Sequence, residues 1–300
     1  MVPSQFLIFM IIYGLESWII IVQSSLVVAV LGREWLQARK LSPVDMILIS
    51  LGVCRFCVQW TSIVFNFCSY FNPDHVCWYF PIIWEYSNIL IFWLTGLLSV
   101  VYCVKVFSLT HSTFLWLRWR IVRLVPWLLL GCLMISCLAI IPSIINNLIQ
   151  HQVITTGHLP KNSTVIVRLE MIRHHLICAH KVLALGVPFL LFLTSIIALI
   201  AALTQHVQRM QHCTTGHGST SRKAHAAALK SLATLFIFFT SYFLTILFSL
   251  IHNQSVNGFW YWVREAVIYA VVSINSTSLM ASSPTLKKAL KVKCWGLEAA

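Results

Sequence analysis

Charge is what this chain lacks. Only 10% of its 300 residues are Asp, Glu, Lys or Arg, against about 25% in an ordinary soluble domain. With 59% hydrophobic residues and a mean hydropathy of +0.83, too few polar side chains remain to cover a soluble fold. Acids are the scarcest class, with eight against 21 bases, and Asp45 and Asp74 are the only aspartates. Both lie at or beyond the ends of apolar runs, which argues against a two-aspartate intramembrane protease. HExxH and GxSxG are absent, so no catalytic residue is expected and the chain does not read as an enzyme. Polar linkers and low-complexity tracts are missing too. Residues 1–300 therefore read as a single domain, with 284–300 as a short tail.

Other absences narrow the field. The chain shows no internal repeat and no pair of broken helices, which disfavours the competing class, a small-solute or proton-coupled transporter using Glu16, Glu85 and Glu265. The ten cysteines show no set of paired spacings that would complete a zinc site. Cys54, Cys57, Cys103, Cys132 and Cys137 fall in apolar runs, where a thiol behaves as a small hydrophobe. His151, His158, His174 and His175 are irregularly spaced, so no metal and no cofactor are expected. Cys77 and Cys178 both fall near one membrane face, which leaves a disulfide open. The net charge of +13 does not indicate nucleic acid, because the bases are dispersed between apolar runs rather than gathered on one face.

Long apolar runs are what the chain has. A membrane helix needs about 20 such residues, and seven candidates occur, at 6–31, 43–66, 79–107, 125–146, 181–203, 230–251 and 259–281. The expected fold is an all-α membrane protein, a seven-transmembrane helix bundle in contact with lipid. The lysines and arginines give its direction. With the N-terminus outside, fifteen fall on the cytoplasmic side. These are Arg33, Arg39 and Lys40; Lys105, Arg118, Arg120 and Arg123; Arg209, Arg222, Lys223 and Lys230; and four between Lys287 and Lys293. Five fall outside: Lys161, Arg168, Arg173, Lys181 and Arg264. The C-terminus is then cytoplasmic. Asn162, in Asn-Ser-Thr, falls in an outer loop where it could be glycosylated. The tail "TLKKALKVKCW" fits an inner-leaflet amphipathic helix, with Cys294 as a weakly signalled palmitoylation site.

Inside the spans, the few polar residues carry the functional reading. In "IIWEYSNILIFWL" one acid sits in an otherwise lipid-soluble run. At about 100° per residue, Trp84, Glu85, Asn88, Phe92, Thr95 and Ser99 fit within an arc of about 100°. Polar groups confined to one stripe face the bundle interior or a wet cavity. Glu85 and Asn88 lie about 9 and 13 Å from the outer end of their helix. An acid and an amide between aromatic faces suit a sugar-bearing ligand, whose hydroxyls need convergent polar partners and whose ring needs a stacking surface. His180, Lys181 and Phe243 are further wall candidates. Glu16 and Arg55 lie about 22 and 18 Å above the inner face. They read as structural wiring, paired directly or joined in a polar network with Gln23 and Asn275.

Four runs carry a family resemblance: "DMILISLGVCRF", "LLSVVYCVKVFSLTHSTFLWLRWR", "AAALKSLATLFIFFTSYFLTIL" and "STSLMASSPTLKKALK". They resemble type 2 bitter taste receptors over nearly the whole chain. The runs "IIYGLES", "VAVLGREWLQARKLSPVDMILISLG" and "HLPKNSTV" are similar to the branch that responds to β-glucopyranosides. The resemblance implies a plasma-membrane receptor that binds a bitter glycoside such as salicin. It also implies activation of a heterotrimeric G protein of the gustducin/Gi type, and leaves open whether receptors pair. Trp84, Glu85, Asn88, Phe92, His180 and Phe243 match that branch's pocket positions. Arg264 stands where a tryptophan is expected, Leu176 where a glutamine is expected, and "INSTSLM" where a histidine would precede "STSLM". The G-protein-facing side would present Lys105, Arg118, Arg120, Arg123, Arg209 and Lys230. Rhodopsin-like marks are missing: "YCVKV" ends the third span without an acid–arginine pair, and the seventh has neither NPxxY nor a lysine.

Overall fold

A bilayer offers no water to backbone amides, so a spanning segment must satisfy them within itself. The apolar runs do this as helices. The computed structural model describes residues 4–38, 42–71, 79–107, 112–156, 164–213, 219–251 and 259–282. They form α1 (Ser4–Ala38), α2 (Pro43–Phe71), α3 (Phe80–Phe107), α4 (Ser112–Thr156), α5 (Thr164–Cys213), α6 (Ser219–Ile251) and α7 (Phe259–Ser282). No strand occurs among the described residues. The all-α, seven-helix architecture expected from hydropathy is the one that forms. Helices α1 to α5 are each long and apolar enough to cross a membrane, and α6 adds a shorter apolar stretch, Ala233–Ser249.

Several helices extend past the apolar spans, α4 and α5 the most. α4 and α5 run for 45 and 50 residues, well beyond 125–146 and 181–203. The bilayer sets only the apolar length; a helix continues past it wherever no breaker intervenes. The start of α2 carries a local initiation signal. Ser42 Oγ accepts the Asp45 backbone N–H at 3.2 Å and donates to Asp45 Oδ2 at 2.8 Å. Pro43 occupies the first helical position, where its missing N–H costs nothing.

α3 is the axis of the bundle. It packs on α2, α4 and α5, and 78% of its apolar window is buried, against 28% for α1 and 22% for α4. The outer helices give that remainder to lipid, with Trp18, Trp127 and Leu138 turned outward. α3 also meets α5 closely at Gly96, where a Cβ would come within 3.1 Å of the Pro188 carbonyl oxygen. Phe92 anchors a ring cluster across α3, α5 and α6. It stacks on Tyr242 at 5.6 Å and meets Phe239 at 4.8 Å, while Phe189 stacks on Phe243 at 3.9 Å. A second cluster, built from Tyr13, Phe67, Tyr70, Trp262 and Tyr269, joins α1, α2 and α7. Cys54 and Cys57, a Cys-x-x-Cys spacing inside α2, remain free thiols.

Candidate functional site

Between the two aromatic clusters lies a cavity of about 210 Å³. It sits toward the end of the bundle where α1 begins. α2 contributes Ser62, Phe65 and Asn66; α3 contributes Pro81 and Trp84. α6 contributes Tyr242, Ile246 and Ser249, and α7 contributes Tyr261, Arg264, Glu265, Ile268 and Tyr269. The spacings explain the convergence. Ser62 and Asn66 are one turn apart, as are Tyr261, Glu265 and Tyr269, so each set shares a helix face.

A polar knot holds this wall in place. Asn66 Nδ2 donates to the Tyr13 hydroxyl at 3.1 Å, and the Tyr261 hydroxyl donates to Asn66 Oδ1 at 2.6 Å. Ser62 Oγ accepts from Tyr269 at 2.6 Å and from Tyr13 at 3.2 Å. Three helices are thereby tied through one amide and one hydroxyl. Arg264 Nη2 lies 3.1 Å from Glu265 Oε1, and the guanidinium sits 4.8 Å over the Tyr261 ring. Arg264 Nε is buried without a partner.

Of the residues the sequence puts forward for the pocket wall, Trp84 and Arg264 line this cavity, and Glu85, Asn88, Phe92, His180, Lys181 and Phe243 do not. Glu85, about 100° round the helix from Trp84, faces α4 and α5. Its Oε1 accepts from Ser143 at 2.7 Å, and its Oε2 lies 2.8 Å from Lys181 Nζ. His180 Nε2 is 2.7 Å from the Ala139 carbonyl oxygen, a second tie between α5 and α4. Asn88 donates to the Trp84 carbonyl at 2.8 Å and accepts from the Tyr242 hydroxyl. Phe92 is wholly buried behind Tyr242, and Phe243 is stacked on Phe189. Thr95 and Ser99 bond back to the carbonyls of Ile91 and Gly96.

The polar groups deeper in the bundle assemble differently from a direct Glu16–Arg55 pair. Arg55 Nη1 donates to Ser276 of α7 at 2.7 Å. Next to Glu16 on α1, it is Ser17 that bonds to α2, accepting from Gln59 at 2.6 Å. Glu16, one residue round, has no partner at Oε2. Gln23 donates to Thr277 at 3.0 Å, and Asn275 lines a void of about 20 Å³ beside Arg55. Tyr242 and Tyr269 border both this void and the larger cavity. Arg120 and Arg123 are exposed on α4. Lys105, Arg118, Arg209 and Lys230 lie on described helices, but their side chains fall outside the described set. Asn162, Cys77 and the tail with Cys294 lie outside the described residues. Cys178 Sγ lies 3.6 Å from His174 Nε2 on the same helix. Among the described residues no His, Cys, Asp or Glu cluster suited to a metal occurs.

Comparison with known proteins decides the class. The Taste receptor protein (TAS2R) family model matches residues 1–298. The chain belongs to the type 2 taste receptor family. It is 60% identical to Taste receptor type 2 member 16 of Pan troglodytes, over 98% of this chain and 100% of that one. Member 16 of Homo sapiens is 59% identical over the same shares, and member 16 of Rattus norvegicus is 54% identical over 99% of each. The receptor is thus a multi-pass plasma-membrane protein of the bitter-taste class, coupled to G proteins and answering small molecules; it is not an enzyme. Among the residues that line this cavity, the sequence reading names Trp84 and Arg264 and does not put forward Asn66, Tyr261 or Tyr269, while it names Glu265 only as a titrating acid of the competing transporter class. The one-turn spacing of Tyr261, Glu265 and Tyr269 was the available signal.

Proposed function

We propose that the receptor detects bitter β-glucopyranosides such as salicin in the cavity between α2, α3, α6 and α7, and activates a gustducin/Gi-type G protein. The N-terminus and the cavity face outside; Lys105, Arg118, Arg120, Arg123, Arg209 and Lys230 face the Gα subunit. Trp84 supplies the stacking face and Arg264 a hydrogen-bond donor, while the tyrosines supply hydroxyl oxygens. Glu85, Asn88, Phe92, His180 and Phe243 act at one remove. They hold α3 against α4 and α5 and set the position of Tyr242.

The observation that supports this reading most is a cavity lined by aromatic faces and polar atoms together. Its size suggests how binding is coupled to signalling. About 210 Å³ is below the roughly 300–1,000 Å³ of a drug-sized site, so one ring fits and a two-ring glycoside needs more room. Such an agonist binds an expanded arrangement better than this one, which is the condition for shifting a population. Tyr242, as a partition between the cavity and the Arg55 void, is placed to pass that expansion inward. A ligand of about 20 heavy atoms at roughly −0.3 kcal/mol per atom gains about −6 kcal/mol, which corresponds to an affinity of tens of micromolar.

A dose–response series in cells co-expressing a gustducin-type Gα tests the proposal. Salicin is expected to activate the wild-type receptor. Trp84→Ala is expected to raise its EC50 about tenfold at equal surface expression, from loss of a stacking face worth about 0.5–1.5 kcal/mol plus its buried area. Silence toward salicin and related glucosides, with a response to other bitter compounds, would remove the glucoside assignment and leave the receptor class intact.

A further inference from the structure

Toward the N-terminal end of α5, away from the cavity, a thiol and an imidazole face each other. His174 and Cys178 are four residues apart, so they share one face of the helix. Cys178 Sγ lies 3.6 Å from His174 Nε2, and Cys178 is a free thiol. His174 is exposed and Cys178 half-buried. Their depth follows from Lys181, whose Nζ meets Glu85 at 2.8 Å. At 1.5 Å per residue, His174 lies about 10 Å beyond Lys181, and Glu85 lies about 9 Å below the end of its own helix. His174 is therefore level with the start of α3, and Cys178 is one turn below it. None of the described residues of α5 lines the cavity.

The spacing is the one a tetrahedral zinc ion imposes. With Zn–S of about 2.3 Å and Zn–N of about 2.0–2.1 Å at the tetrahedral angle, sulfur and nitrogen stand about 3.6 Å apart. An S–H···N hydrogen bond spans the same gap, so a metal ion replaces that proton with a small rotation of the exposed imidazole. Binding takes the thiol as thiolate and the imidazole as its neutral form, and releases the thiol proton to water. These two ligands suit a borderline-soft ion such as Zn²⁺; Mg²⁺ and Ca²⁺ take oxygen. The thiolate offsets part of the ion's charge, and the neighbouring Arg173 points about 100° round the helix from His174. Histidine spacing alone does not disclose the pair, because the fourth-residue partner of His174 is a cysteine. His175 is exposed, with its ring centred 6.1 Å from that of His174. No three such ligands gather among the described residues, so water completes the coordination and the ion exchanges with the medium. We propose that His174 and Cys178 form an exchangeable two-ligand site for Zn²⁺ on α5. The bound ion staples the turn that leads into His180 and Lys181, the two ties of α5 to Ala139 and Glu85. The site is independent of where the agonist binds.

The test is alkylation of Cys178 by a maleimide in the purified full-length receptor, reduced beforehand with a phosphine and titrated with Zn²⁺. Labelling is read at Cys178 by mass spectrometry of the digested protein. Saturating Zn²⁺ is expected to slow it about tenfold or more, because a metal-held thiolate is not free to attack. Mg²⁺ is expected to have no effect. His174→Gln is expected to raise the half-protecting Zn²⁺ concentration about tenfold through loss of one of two protein ligands, and His175→Ala to change it less than about threefold. Cd²⁺ gives a second readout. Its thiolate charge-transfer absorption is expected in wild type, weaker in His174→Gln and lost in Cys178→Ser. Labelling of Cys178 that Zn²⁺ does not slow means that the pair is a hydrogen bond only, and overturns the site. Protection that survives His174→Gln, or that His175→Ala abolishes, overturns the pairing. Should Cys178 resist the maleimide without metal, the Cd²⁺ band decides: present and dependent on both residues, it supports the site; absent, it overturns it. His174→Ala replaces the glutamine variant if that one does not fold.

Discussion

Asn66→Leu is expected to lower the unfolding free energy by about 2–4 kcal/mol. The substitution keeps the volume and removes the amide on which α1, α2 and α7 converge. Tyr261 loses the acceptor it holds at 2.6 Å, and Tyr13 loses a donor at 3.1 Å. An orphaned buried donor costs about 1–3 kcal/mol, and each lost bond about 1. That total is a large part of the roughly 5–15 kcal/mol available to a folded protein. The measurement is thermal unfolding of purified receptor, alongside the fraction reaching the cell surface. Adding Tyr261→Phe to the leucine variant removes the stranded donor, so the double variant should recover about 1 kcal/mol of the loss. A leucine variant as stable as wild type would mean that the knot carries no weight.

The second large effect concerns Glu85. Lys181→Met keeps the apolar stem and deletes the ammonium, leaving a largely buried carboxylate with only Ser143 as partner. Breaking a fully buried pair costs about 3–5 kcal/mol. The side chains here are 25% and 13% exposed, so about 2–3 kcal/mol is expected after solvent screening. Glu85→Gln alone keeps an acceptor for Ser143 and should cost about 1–2 kcal/mol. The double variant should lose less than the two singles together, by about 1–2 kcal/mol, when read in a double-mutant cycle. Strict additivity would contradict the pair. At equal surface expression the double variant should keep its salicin EC50 within about threefold, because Glu85 lies off the cavity wall. A larger rise would restore Glu85 to direct sugar contact.

How far the sequence carries this account can be judged at single residues. Helix number follows from apolar length, because the bilayer forces every spanning amide into a helix. The stripe on α3 is also legible, since Asn88, Thr95 and Ser99 are all buried. The direction of Glu85 is not. Trp84 and Glu85 are one residue apart and about 100° apart, so a narrow cavity takes one of them and the other meets the next neighbour. Which helix stands on which side is a tertiary fact, and Lys181 declares itself as the partner only once α5 is in place. Arg55 finds an unexpected partner for a related reason. Depth alone matches Glu16 with Arg55, but rotation places Ser17, not Glu16, against α2. The tyrosines of α7 escape a sequence reading because their protons and their cavity faces serve different partners.

The central claim is that agonist occupies the cavity wall formed by α6 and α7 with α2 and α3. Ser249 lies on that wall, and a thiol introduced at this position tests the claim most directly. Cells expressing Ser249→Cys are treated with a charged, membrane-impermeant methanethiosulfonate reagent, washed, and challenged with salicin; wild-type cells control for native thiols. The account predicts that the treated variant loses its salicin response, that wild type keeps it, and that salicin present during treatment protects the variant. Labelling of the introduced thiol that leaves the salicin response intact, or that salicin does not slow, would contradict it.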